Sequence, residues 1–211
     1  MASQDVAVRE EIVAVCRRLY ERGLIAGTEG NVSVRVAPER VWMTPAACHK
    51  GLLVPEALVC VDMDGQVCAG QGRPSSELPM HLALYRRRPE IRAVIHAHPP
   101  VATALTVAGY RLEVALLPEA VVLLGEVPTV PYQTPTTPAF AEAVGAALQR
   151  ADAALLENHG SVTVGLSLQE AFNRMETVER VAYVLYLAKS LGRVQLLPPA
   201  AVASLRALRQ E

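Results

Sequence analysis

A short apolar run, Ile91-Arg92-Ala93-Val94-Ile95, leads directly into His96-Ala97-His98. A run of that length and composition reads as a buried strand. Side chains alternate faces along a strand, so His96 and His98 point the same way. Two imidazoles on one side of a rigid strand can grip one metal ion. A third histidine, His159, follows another apolar run, Ala153-Ala154-Leu155-Leu156, in the sequence Glu157-Asn158-His159-Gly160. Three neutral imidazoles that leave one coordination position open form the arrangement of catalytic zinc-type sites. The competing explanation is a hydrogen-bonded polar cluster at a sheet edge.

The rest of the chain can support such a site. Of its 211 residues, 51% are hydrophobic and 19% charged, enough apolar material for a core and too much for disorder. With 20 basic and 21 acidic residues the net charge is −1, which gives no bulk attraction to nucleic acid or to an anionic membrane. Cys16, Cys48, Cys60 and Cys68 form no Cys-x-x-Cys pair and are expected as free thiols in a reducing compartment. The start of the chain, from Met1, lacks the basic-then-apolar signature of a signal peptide, and no uncharged run reaches membrane-spanning length. A cytoplasmic protein with one domain over 1–211 is the expectation.

Helical spacing predicts helices over Val6–Arg22, Glu77–Arg88, about Pro99–Ala108, Pro138–Gln149 and Leu168–Leu191. Alternation predicts a half-buried strand at Asn31–Val36, with Val41–Met43 beside it. Leu58–Val61 and Gln66–Ala69 flank Asp62-Met63-Asp64-Gly65, a hairpin turn sequence. Ile91–Ile95, Ala153–Leu156 and Ser161–Val164 are further strands. Glu119–Leu124 fits helix or strand, Val127–Tyr132 is a short extended piece between prolines, and Leu197–Glu211 contains a short helical pattern. This order fits an α/β fold with a largely antiparallel sheet between helical layers.

Three loops carry possible anion chemistry. Pro74-Ser75-Ser76-Glu77 opens a helix, whose free N–H groups attract anions, although a plain N-cap explains it as well. Gly27-Thr28-Glu29-Gly30-Asn31 can bring backbone N–H groups to a phosphate, or be an ordinary turn. It matches neither a P-loop nor a dinucleotide fingerprint. Thr44-Pro45-Ala46-Ala47-Cys48-His49-Lys50-Gly51 offers a hydroxyl and a cation, or is a surface loop with a solvated lysine.

In this order the segments resemble the class II aldolase/adducin family. The matching pieces are Gly27-Thr28-Glu29-Gly30-Asn31-Val32-Ser33, Thr44-Pro45, Ser75-Ser76-Glu77-x-x-x-His81, His96-Ala97-His98 and Glu157-Asn158-His159-Gly160. The resemblance implies a three-layer α/β/α sandwich around a mostly antiparallel sheet. It implies one Zn2+ per subunit, with Mn2+ or Co2+ as substitutes, held by His96, His98 and His159. Glu77 would be the catalytic acid/base and an additional metal ligand when substrate is absent. Thr28, Gly30, Asn31, Thr44, Ser75 and Ser76 would bind the phosphate and substrate. The partner would be a small sugar phosphate, and the assembly a homotetramer with interfacial active sites. The implied reaction is reversible cleavage of a ketose 1-phosphate, fuculose 1-phosphate-like, to dihydroxyacetone phosphate and a small aldehyde through a metal-stabilised enediolate.

One departure stands out. The family often has Thr-Pro-Ser-Gly where this chain has Thr44-Pro45-Ala46-Ala47, so a hydroxyl and a glycine are missing from the phosphate loop. Either His49 or Lys50 compensates, or the substrate differs. Within the family a dehydratase of the methylthioribulose-phosphate type, a decarboxylase or a phosphopentose epimerase would use the same three histidines. Tyr110 and Tyr132 are the candidate proton donors to a departing group, each with a structural alternative. A non-catalytic adducin-like scaffold is the reading from a different class, and the presence of all three histidines and Glu77 argues against it.

Overall fold

A computed structural model describes residues 2–209. Helix α1 spans Ala2–Glu21, followed by β1 Asn31–Ala37, β2 Arg40–Met43, β3 Val59–Val61 and β4 Val67–Ala69. Next come α2 Leu78–Arg87, β5 Ala93–Ala97, α3 Pro100–Val107, α4 Pro118–Leu123 and β6 Thr129–Val130. The chain continues through α5 Pro138–Ala147, β7 Ala153–Leu156, β8 Gly160–Gly165, α6 Leu168–Ser190 and α7 Pro199–Leu208. The end of the predicted Leu197–Glu211 pattern, Gln210 and Glu211, lies outside the described residues.

The eight strands form one sheet in the order β4-β3-β2-β1-β5-β8-β7-β6. Every neighbouring pair is antiparallel except β6–β7. Helices cover both faces, so the expected α/β/α sandwich with a mostly antiparallel sheet is what the chain forms. On one face α2 and α5 pack through Leu82, Leu84, Tyr85, Phe140 and Val144 onto Val94, Val162 and Val164. On the other, α1 and α6 pack through Ile12, Leu19, Phe172 and Met175 onto Val32, Val34, Ala93 and Ile95. A third cluster joins α3, α4 and α6 to β7 through Leu105, Ala120, Val181 and Leu155.

This layering corrects two local expectations and settles one that was open. The strand predicted at Ile91–Ile95 lies two residues later, so His96 is inside β5 and His98 stands just past its end. The segment Glu119–Leu124 is helical, because Pro118 at the first helical position pre-sets the backbone. Strand β1 is not half-buried: α2 covers its polar face, and Asn31 and Ser33 are as inaccessible as Val32 and Val34. Pro128 and Pro131 limit the Val127–Tyr132 piece to the two residues of β6. The four cysteines are free thiols, with the Cys60 and Cys68 sulfurs 3.2 Å apart. Among the described residues no helix is long and apolar enough to cross a membrane.

Candidate metal centre and its cavity

The site is assembled by register. In the sheet Asn31 on β1 pairs with His96 on β5, and His96 pairs with Val162 on β8. Alternation along β5 puts His96 on the same face as Val94, the face beneath α2. Glu77 is the N-cap residue of α2 and therefore meets His96 there. His98 follows the strand, fixed by its N–H donating to the Leu24 carbonyl. The next helix, α3, is anchored by Glu179, whose carboxylate accepts from the N–H groups of Val101 and Ala102.

His159 arrives through a three-residue hairpin loop between β7 and β8, where Leu156 pairs with Gly160. Asn158 in that loop has φ 55°, a left-handed conformation that asparagine tolerates better than most residues. The backbone N–H of Asn158 donates to Thr106 Oγ1, which ties the loop to the end of α3. Gly160 is required by a close approach. A Cβ there would lie 2.3 Å from the Ala97 carbonyl oxygen and 2.9 Å from His98 Cδ2. Gly160→Ala is therefore expected to destabilise the fold by about 2 kcal/mol and to displace His98. Differential scanning calorimetry and metal titration of the same variant check both effects.

The three imidazole rings form a nearly equilateral triangle, with centroids 4.7, 4.8 and 5.0 Å apart. One nitrogen from each lies within 4.8 Å of the others. His96 Nδ1 donates to the Ser161 carbonyl at 2.9 Å, which leaves the lone pair on His96 Nε2 facing inward. His98 Nε2 is 3.0 Å from that atom. Burial pushes the pKa of His96 down to about 3 and, with help from His96, that of His159 down to about 4. Burial also lowers His98. Neutral rings with converging lone pairs repel one another unless a cation lies between them, so the donor set fits a divalent ion. Ser161 supplies the second-layer bond that orients the His96 ring.

Glu77 closes the cluster. Its Oε2 lies 3.2 Å from His96 Nε2 and accepts from Asn31 Nδ2 at 2.7 Å. Its Oε1 lies 3.6 Å from His159 Nε2 and, although buried, finds no hydrogen-bond partner among the described residues. A buried carboxylate oxygen without a partner is costly unless something else occupies its lone pairs.

A cavity of about 140 Å³ opens above this cluster. Thr28, Gly30 and Asn31 line one side, and Ser75, Ser76 and Glu77 another. His98 and His159 complete the floor. His96 is fully buried beneath it. Thr44 is fully buried and not part of the lining; its Oγ1 accepts from the Val32 N–H. Sequence reasoning placed no residue at Pro45, yet it lines the wall with Ala46 and Ala47. Lys50 also lines it and is not a solvated surface lysine: it is 2% exposed, and its Nζ donates to the Thr28 and Cys48 carbonyls. His49 instead packs edge-on against Tyr20. Tyr110 sits under the Lys189 ammonium, and neither it nor Tyr132 reaches the cavity. A larger hollow of about 540 Å³ beside Leu117 and Arg180 contains no histidine and so no comparable donor set.

The fold and this cluster define a class. The chain belongs to the Class II Aldolase and Adducin N-terminal domain family, whose profile matches residues 10–186. Among its relatives, a 5-deoxy-D-ribulose 1-phosphate aldolase of Bacillus thuringiensis serovar kurstaki is 35% identical, over 90% of this chain and 89% of the relative. A 3-oxo-tetronate 4-phosphate decarboxylase of Haemophilus influenzae is also 35% identical, over 86% and 88%. The solved structure of an L-fuculose 1-phosphate aldolase superposes with a TM-score of 0.89 at 31% identity, covering 97% of both chains.

Proposed function

We propose that this chain is a metal-dependent lyase that reversibly cleaves a ketose 1-phosphate, fuculose 1-phosphate-like, to dihydroxyacetone phosphate and a small aldehyde. The observation that carries the reading is the meeting of three neutral imidazoles with the open Oε1 of Glu77 at the floor of one cavity. His96, His98 and His159 would hold the ion, which we take as zinc, and Glu77 would join them when substrate is absent. A bound divalent ion supplies Lewis acidity toward a substrate carbonyl oxygen. Glu77 Oε1 then carries the proton: as the carbon–carbon bond breaks it takes the proton of the hydroxyl that becomes the aldehyde and gives it to the carbon beside the carbonyl, and condensation runs the same transfers in reverse. The Ser75 and Ser76 hydroxyls and the Gly27–Gly30 loop receive the phosphate, and Lys50 adds a cation to that wall. Thr44 supports the same wall through its bond to Val32 rather than by lining it. A homotetramer is supported by exposed apolar side chains at the ends of α3 and α6, Val107, Tyr186 and Leu191 among them.

A second reading is decarboxylation of a phosphorylated oxo acid. It is favoured by the Ala46-Ala47 wall with buried Lys50, and by a decarboxylase relative as similar as the aldolase one. Both reactions break a bond to the carbon next to a carbonyl and differ in what departs. One experiment separates them: a panel of ketose 1-phosphates and 4-phosphorylated 3-oxo acids, with chelator and with Zn2+, Mn2+ or Co2+ added back. The expected result is dihydroxyacetone phosphate together with an aldehyde from the ketose 1-phosphates, lost with chelator and restored by metal. Carbon dioxide release from the oxo acids, with the ketose 1-phosphates left intact, would replace the aldolase reading by the second. No turnover and no bound metal would return the chain to the scaffold class.

A further inference from the structure

Beneath the cavity, β1 and α2 are joined by a ladder of polar side chains. Asn31, Ser33 and Arg35 take every second position of β1, while Glu77, His81 and Tyr85 take every fourth position of α2 and its N-cap. Two strand residues advance about 6.6 Å and four helix residues about 6.0 Å, so the three rungs stay level. Asn31 Nδ2 meets Glu77 at 2.7 Å, Asn31 Oδ1 meets His81 Nε2 at 2.5 Å, and His81 Nδ1 meets Ser33 Oγ at 2.6 Å. Ser33 Oγ meets the Tyr85 hydroxyl at 2.8 Å. At the far end Arg35 donates to the Tyr85 carbonyl at 3.1 Å, with its guanidinium over the Tyr85 ring. Asn31, Ser33, His81 and Tyr85 are all buried, so water cannot substitute for a missing partner.

The chain has one consistent direction. A carboxylate only accepts, so Asn31 must present its NH2 to Glu77 and its oxygen to His81. His81 is fully buried and neither ring nitrogen faces a carboxylate, Nε2 meeting Asn31 Oδ1 and Nδ1 the Ser33 hydroxyl, so the ring is neutral with one N–H. That N–H must be on Nε2, and Nδ1 must accept from the Ser33 hydroxyl. Ser33 then accepts from Tyr85. Tyr85 has a single hydroxyl hydrogen and two possible acceptors, Ser33 at 2.8 Å and the Arg92 carbonyl at 3.4 Å; the shorter contact is the one that completes the chain.

We infer that Ser33, His81 and Tyr85 are positioning residues: through this one-way chain they lock the Asn31 amide so that it holds Glu77 Oε2 and leaves Oε1 as the carboxylate oxygen without a hydrogen-bond partner at the cavity floor. The inference rests on the proton-carrying role proposed for Glu77. Without the chain the Asn31 amide can turn over, present its oxygen to the carboxylate and push Glu77 out of place.

The test uses the full-length, metal-loaded protein. Nitrogen-15 spectra of the histidine rings are expected to place the His81 proton on Nε2; a proton on Nδ1 would reverse the chain and overturn the inference. In the aldol-cleavage assay Ser33→Ala is expected to lower kcat by about 10- to 100-fold, with KM within about twofold. Tyr85→Phe is expected to cost less, and Ser33→Thr, which keeps the hydroxyl, to recover most of the loss. Unchanged kcat in Ser33→Ala, or a loss confined to KM, overturns the inference. Glu77→Gln measured alongside separates the two possible failures. If Glu77→Gln is inactive and Ser33→Ala is normal, only the ladder fails; if Glu77→Gln is active, the role of Glu77 fails with it.

Discussion

Glu77→Gln is expected to lower turnover by roughly 10²- to 10⁴-fold while the protein still folds and still takes up metal. The substitution keeps the volume of the side chain in a site that is 7% exposed, so no cavity forms. Its amide oxygen can still accept from Asn31 Nδ2 in place of Oε2. What is lost is the ability of the other atom, now an NH2, to hold and return a proton facing His159 and the cavity. A thermal melt close to wild type, together with retained metal by elemental analysis, would show that the loss belongs to chemistry. Near-normal turnover would remove Glu77 from the reaction.

Removal of the metal gives the second large effect, and it is read without substrate. A ligand at 1,000 times its Kd stabilises a folded protein by about 4 kcal/mol. For a chain of this length that corresponds to a melting temperature roughly 10 °C higher than after chelation. His98→Ala is the informative variant, because His98 is part-exposed and its truncation disturbs packing less than loss of the buried His96 would. The variant is expected to melt at one temperature with or without metal and chelator. Equal melting of the intact protein in both conditions would count against a bound ion at the three histidines.

The pair His96 and His98 was legible in the sequence because strand alternation is a strict geometric rule, and it held even though β5 begins two residues later than the apolar run suggested. His159 was legible as a residue, but its distance from the pair depends on β8 lying between β5 and β7, which no local pattern encodes. Ser33 and Tyr85 were missed for a related reason. In an alternating strand the polar residues read as the solvent side, and here α2 covers that side. A signal was present: Asn31, Ser33 and Arg35 repeat every second residue, and Glu77, His81 and Tyr85 every fourth. Lys50 stood open between a wall cation and a solvated surface lysine because a single lysine in a loop has no periodicity to reveal its burial; the structure buries it in the wall. Thr44 was expected to bind the phosphate and substrate; in the structure it is fully buried outside the cavity lining, and its hydroxyl accepts from the Val32 N–H, a tertiary contact no local pattern encodes.

The pairing of β5 with β8 also sets the order in which the protein can become competent. His96 and its orienting partner Ser161 are 65 positions apart in the chain. A chain emerging from the ribosome offers His96 and His98 long before it contains His159. Such a partial chain presents only a two-pronged grip, and the third imidazole joins the other two when the last two strands of the sheet add to the strands already in place. Closure of a loop of that length is a slow, late event in folding. Retention of a divalent ion by the three histidines would therefore report that the centre of the sheet has finished assembling.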